Sequence, residues 1–248
     1  MNILQLSFYD IRRIFQSIWT YIGFLLILIP ICLFLFGNIA HNTKLNSINI
    51  LAQISSFLII LGVFCLVKTI CRDFSEETIQ LFLNKSINRK KYFLGKLLSI
   101  LLISIVFIIL TFIFTSISQL AIGKNSLSLK SIIFFILMYI LLYFSIGLFL
   151  YTINILVQKT SLIYTLAIII LVVSPFVYQL SPFIPNYGEF IKKTNDMIPF
   201  VFLLNKIYMG RLSLNFLQSS ISILFIIILT LLNISLSKKE CLMFFEFI

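Results

Sequence analysis

Acidic residues are scarce: 8 of 248, with a single histidine, and charged residues of both signs make up only 11% of the chain. Soluble domains average about 25% charged residues. With 60% of the residues hydrophobic and 27 phenylalanines, a water-soluble fold of this length could not hide its apolar surface. Lipid must therefore be the solvent for most of the chain.

Each scarcity excludes a chemistry. The lone His41 sits in a polar loop, which removes a histidine-based metal site. Cys32 and Cys65 fall in apolar runs, Cys71 and Cys241 fall in segments assigned below to the cytoplasm, and no CxxC occurs, so no structural disulfide is expected. No apolar run holds an Asp or Glu at its middle, which disfavours a proton- or sodium-coupled carrier. HExxH and GxSxG are absent. The Glu76–Glu77 pair invites comparison with EExxxR membrane proteases, but Leu81 stands where the arginine would be. Gly95–Lys96 and Gly123–Lys124 are followed by Leu97 and Asn125, with no phosphate-cradling glycine upstream. If ATP drives this protein, another chain binds it.

Positive charge is plentiful by comparison, with 19 Lys and Arg and a net charge of +11. No water-exposed domain alternates basic and aromatic residues, so the charge reads as helix anchoring at anionic lipid rather than as a nucleic-acid surface.

Six apolar runs are long enough to cross about 30 Å of hydrocarbon, at roughly 20 residues each. They lie near 19–38, 50–70, 93–120, 129–156, 161–180 and 216–236. Lipid offers no partner for free backbone groups, so each must be a helix, with Pro30 kinking the first. Ahead of them, Leu4, Phe8, Ile11, Phe15 and Ile18 recur at helical spacing, which predicts an interfacial helix over 1–18. The fold class is an all-α membrane protein, one transmembrane domain over 1–248.

With the N-terminus inside, the inner segments hold 12 Lys and Arg and the outer ones hold 7, so both ends are placed in the cytoplasm. Residues 71–92 are then cytoplasmic, and Lys68 snorkels to the headgroups. The outer segment 181–215 is semi-helical: Asp196 offers an N-cap, Ile198 to Met209 an apolar run too short to span, and Gly210 a stop, which suits a re-entrant or interfacial helix.

The stretch "CRDFSEETIQLFLNKSINRKKYFLGK" interrupts the apolar pattern. Asp73 with Glu76 three residues on gives a capping box, and Glu76 and Glu77 suit the positive end of the helix dipole. Phe74, Thr78, Leu81 and Phe82 share one face of a short helix over about 74–84. Asn84 to Asn88 turn the chain, and Arg89, Lys90, Lys91 and Lys96 pin the third span to the inner leaflet. Two readings stand for the apolar face: it anchors a partner subunit, or it rests on lipid headgroups.

Within this stretch, "EETIQLFLNKSINRKKYFLGKLL" resembles the signature of ABC-2 type permeases. Glu76, Thr78, Leu81, Leu83, Ile87, Arg89, Gly95 and Lys96 match, while Glu77 stands for the usual Gly and Ser86 and Asn88 for the usual Pro and Ser. The pattern of interfacial helix, six spans and semi-helical outer segment extends the likeness over the whole chain. The resemblance implies a bacterial cell-membrane half-transporter that pairs with a second copy or a paralogue. A cytoplasmic ABC ATPase subunit would dock at the coupling helix through Phe74, Glu76, Glu77, Thr78, Leu81, Phe82, Leu83 and Arg89. The chain itself would hold no cofactor, with ATP and Mg bound by the ATPase. Small permeases of antimicrobial-peptide and lantibiotic immunity and of peptide-toxin export look most similar.

A pathway lined without charge suits amphipathic peptides or lipids better than sugars or ions. Phe112, Phe114, Tyr139, Tyr143 and Phe144 are candidates for that lining, or they face lipid or pack between helices. Rival functions are a non-transporting scaffold or sensor partner, which needs no ATPase, and an ATP-independent channel.

Overall fold

The computed structural model describes residues 3–75, 86–184 and 187–243. Among them are ten α-helices: α1 Ile3–Phe15, α2 Ile18–Ala40, α3 Ser47–Ser75, α4 Ser86–Ile122, α5 Leu129–Val157, α6 Thr160–Ile168, α7 Ser174–Leu180, α8 Gly188–Asn195, α9 Pro199–Tyr208 and α10 Phe216–Met243. A π-helical turn, Ile169–Val173, joins α6 to α7, so that Thr160–Leu180 makes one apolar unit. Six helical units are long and apolar enough to cross a membrane, and none of the described residues forms a named strand.

The helices run back and forth, so the bundle has two ends. The proximal end holds α1, the C-terminus of α3, the N-terminus of α4 and the α5–α6 joint. The distal end holds the loops 41–46 and 123–128, which are stitched together by backbone hydrogen bonds from Leu45 to Ile122 and from Lys124 to Leu45, both 2.9 Å.

α3, α4 and α5 form the centre. Of the most apolar window of α3, 72% is buried, against 6% for α2, which lies along the outside and stays helical through Pro30. The surface that α2 exposes is Leu25, Leu26, Ile29, Leu33 and Phe36, side chains fit for a hydrocarbon solvent. Polar side chains inside the bundle mostly bond back onto their own helix: Thr111 to Phe107 O at 2.7 Å, Ser145 to Leu141 O at 2.7 Å and Thr152 to Leu148 O at 2.8 Å. Two asparagines reach across instead. Asn154 Nδ2 donates to Ile70 O at 3.2 Å, joining α5 to α3, and Asn233 Nδ2 donates to Leu148 O at 3.4 Å, joining α10 to α5.

The structure corrects several sequence expectations. α3 begins at Ser47 and runs to Ser75, so Asp73 lies inside a long helix and is not the cap of a new one. Its carboxylate is taken by side chains of α3 and α4, described below. α4 begins at Ser86, within the stretch expected to turn. Asp196 ends α8 and does not start α9; Ile198 takes the N-cap position, because Pro199 needs no amide partner in the first turn. Gly210, with φ +66°, follows α9 as the predicted stop. α9 buries Val201, Phe202, Leu203, Leu204 and Ile207, and Phe200 packs on Phe149 of α5 at 5.3 Å between ring centroids.

Candidate functional site

α1 carries its polar residues inward. Leu4, Phe8 and Phe15 point away from the bundle, while Ser7, Asp10 and Ile14 are buried against it. These three recur at spacings of three and four, one stripe of a helix. α3 offers a matching stripe, Thr69, Arg72 and Asp73, and α4 offers Tyr92, Lys96 and Ser99. Where the stripes meet, the proximal end holds a buried ionic cluster.

Asp10 is fully buried. Its Oδ1 accepts from Arg72 Nη2 at 3.0 Å, and its Oδ2 accepts from Lys96 Nζ at 2.9 Å and from Ser99 Oγ at 2.8 Å. Asp73 mirrors it: Oδ1 lies 3.3 Å from Arg72 Nη2, and Oδ2 lies 2.6 Å from Lys96 Nζ and 2.7 Å from the Tyr92 hydroxyl. Lys96 Nζ also donates to the Thr69 carbonyl at 3.1 Å, which completes three donations from one ammonium. Among the described residues two carboxylates face two cations, so these four charges balance. That balance is what allows charge to be buried, since an unpaired ion there would cost several kcal/mol.

Lys96 was expected to pin α4 to the leaflet. It is instead 2% exposed, because both carboxylates converge on it. Gly95 beside it lets α1 approach: a Cβ there would sit 2.5 Å from Leu6 Cδ2. Lys68, expected to snorkel, is half-buried and bonded to the Ser17 hydroxyl.

The cluster sits at the root of the predicted docking segment. Asp73 and Tyr92, 19 residues apart in sequence, are bonded directly, so the end of α3 and the start of α4 are pinned to each other and, through Asp10, to α1. Of the predicted docking residues, Phe74 lies in the last turn of α3 and Arg89 in the first turn of α4. Glu76, Glu77, Thr78, Leu81, Phe82 and Leu83 lie outside the described residues.

The aromatic candidates are placed halfway along the bundle. Tyr139 and Tyr143 stack at 5.0 Å between centroids and are fully buried. Phe135 and Phe107 flank them, and neither hydroxyl meets a well-aligned hydrogen-bond partner among the described residues. Gly62 of α3 makes the room, since a Cβ there would fall 1.7 Å from the Tyr143 hydroxyl. Phe112 packs edge-on against Phe135 at 5.5 Å and, like Phe114 and Phe144, keeps part of its surface outside the bundle.

Sequence reasoning missed Asp10 and the pairing of Asp73 with Lys96. Taken one at a time, Asp73 reads as a cap and Lys96 as a leaflet anchor, and Asp10 belongs to no motif. The available signal was that 7/10, 69/72/73 and 92/96/99 each put polar residues on one helical face within apolar surroundings.

Six apolar helical units and an ionic cluster at one end define a multi-pass membrane protein. The family model for the ABC-2 family transporter protein matches residues 38–236, about four-fifths of the chain, and the chain belongs to that family. It is thus a membrane subunit of an ABC transporter, a family that normally works with a separate cytoplasmic ATPase. No curated protein matches the chain.

Proposed function

We propose that this chain is the permease subunit of an ATP-driven exporter in a bacterial cell membrane, with both termini and the proximal end in the cytoplasm. The ATPase docks on the segment over about 74–84, through Phe74, Glu76, Glu77, Thr78, Leu81, Phe82, Leu83 and Arg89, and brings its own ATP and Mg. The carrying observation is the cluster of Asp10, Arg72, Asp73 and Lys96. A push on a loop with loose stems would be lost in the loop. A push on stems held by ion pairs at 2.6–3.0 Å reaches α3, α4 and α1 together. Their centre also contacts α5, so a rigid-body shift at the proximal end propagates along the bundle.

Two copies, or this chain with a paralogue, enclose the pathway in this reading. Its surface is apolar and aromatic, with Phe112, Phe114 and Phe144 partly outside the single bundle and Tyr139 and Tyr143 reached when α5 moves off α3. That lining favours amphipathic peptides of the antimicrobial or toxin kind. The test is paired. Leu81→Asp and Phe82→Asp abolish co-purification of the ATPase chain, and inverted vesicles of the unaltered complex accumulate a labelled amphipathic peptide in a vanadate-sensitive way. Flux without ATP would instead make the protein a channel, and absence of any ATPase partner would make it a scaffold.

A further inference from the structure

We infer that a pocket at the distal end, between α7, α8, α9 and the first turn of α10, binds the C-terminal carboxylate of a peptide. The pocket has a volume of about 300 Å³, at the small end of ligand pockets. Its charged lining is Lys192, Lys206 and Arg211 against the one carboxylate of Asp196, an excess of two positive charges. Among the described residues Asp196 closes no contact ion pair with any of the three, and it acts on Lys206 from a distance.

The backbone holds two of these cations together. Gly210, with φ +66°, reverses the chain after α9, and the Arg211 amide donates to Lys206 O at 2.9 Å. The last carbonyls of α9 are met by the amides of Met209, Gly210 and Arg211, so neither side chain is needed to satisfy the helix end. Lys206 gives two of its three N–H groups to neutral oxygens, the Ser213 carbonyl and Gln218 Oε1, both at 2.5 Å, which leaves one for a ligand. Partial burial holds its ammonium below the usual lysine range; Asp196 offsets part of that and Arg211 adds to it. An anion in the pocket relieves the burial cost and the repulsion together.

The walls and the position select the ligand. A carboxylate matches the planar fork of Arg211 and meets the charge of Asp196 once, where a phosphate dianion would meet it twice over. Phe202, Met209 and the Tyr178 ring supply an apolar wall beside the cations, suited to the last side chains of an amphipathic peptide. The charged lining belongs to the segment between the last two membrane-crossing units, Thr160–Leu180 and Phe216–Leu236, so the pocket opens to water beyond the hydrocarbon. The choice of a peptide as carrier of the carboxylate rests on the export reading.

The test uses the full chain purified in detergent, with no ATPase and no transport, so its failure leaves the export reading standing and failure to capture an ATPase leaves the pocket standing. The probe is a short Leu- and Ser-rich peptide with an uncharged fluorophore at its N-terminus, made with a free C-terminal carboxylate and as the carboxamide. Fluorescence anisotropy at low salt, corrected for empty micelles, gives the affinity of each. The carboxylate form is expected to bind about tenfold more tightly. Arg211→Gln and Lys206→Gln each reduce that preference about fivefold, and Asp196→Asn tightens binding about threefold, a gain that a merely structural role for these residues would not produce. Should Lys206→Gln loosen the loop it bonds, Arg211→Gln and Asp196→Asn decide. Acetate displacing the peptide at concentrations no higher than the peptide's own would overturn the peptide assignment and leave a site for small anions. Equal binding of carboxylate and carboxamide, or a preference unchanged by Arg211→Gln and Asp196→Asn, would overturn the proposal altogether.

Discussion

Tyr92 and Tyr143 are both buried tyrosines on long helices, and they are held in opposite ways. Tyr92, 1% exposed, donates to Asp73 at 2.7 Å and sits under Lys96, whose Nζ is 5.4 Å from its ring centroid. Tyr143, 0% exposed, stacks on Tyr139 and presses its hydroxyl towards Gly62 with no well-aligned partner among the described residues. The first is fixed by direction-specific bonds to charged groups, the second chiefly by packing. Bonds of that kind resist sliding, whereas a stack of rings against a glycine tolerates it. Directional bonds to charge thus hold the proximal end together, and ring packing holds the middle.

Four substitutions break or sharpen that contrast, each followed as thermal unfolding of the purified chain in detergent. Lys96→Met leaves two buried carboxylates facing one arginine and should cost about 3–5 kcal/mol, the largest effect. A loss under 1 kcal/mol would mean that the cluster is not closed. Tyr92→Phe removes a hydrogen bond to a charged group and should cost about 1.5–3 kcal/mol. Gly62→Ala drives a methyl into the Tyr143 hydroxyl and should cost about 1–3 kcal/mol, with much of the loss recovered in the double variant with Tyr143→Phe. Tyr143→Phe alone should be within about 1 kcal/mol of neutral and on the stabilising side, because the hydroxyl it deletes has little to lose. Equal penalties for Tyr92→Phe and Tyr143→Phe would erase the distinction.

The spans were legible from the sequence because hydrocarbon leaves a chain so few options. A run of Ile, Leu and Phe of sufficient length must be a helix, and the observed units differ from the expected ones mostly at their ends. The ends shifted where local signals misled: Asp73 looks like a cap beside Glu76, but a salt bridge to Lys96 outweighs a cap bond and carries α3 on to Ser75. Asp10 lies in the helix that the spacing of Leu4, Phe8, Ile11 and Phe15 predicts, but nothing in that spacing marks it as the centre of a site. Its partners are 62, 86 and 89 residues away, and pairing at that range is invisible to periodicity within one helix. The π-helical turn at Ile169–Val173 had no signal at all in a run of Ile, Leu and Val.

The central claim is that an ATPase drives this membrane subunit through the segment over about 74–84, whose flanking helices the cluster joins. Site-specific photo-cross-linking from position 82, with a benzoylphenylalanine in place of Phe82, tests it in native membranes during ATP turnover. The account predicts an adduct to the ATP-hydrolysing subunit, lost when Lys96→Met loosens the stems. Adducts to phospholipid alone, or labelling of that position by an impermeant reagent from outside the cell, would contradict it.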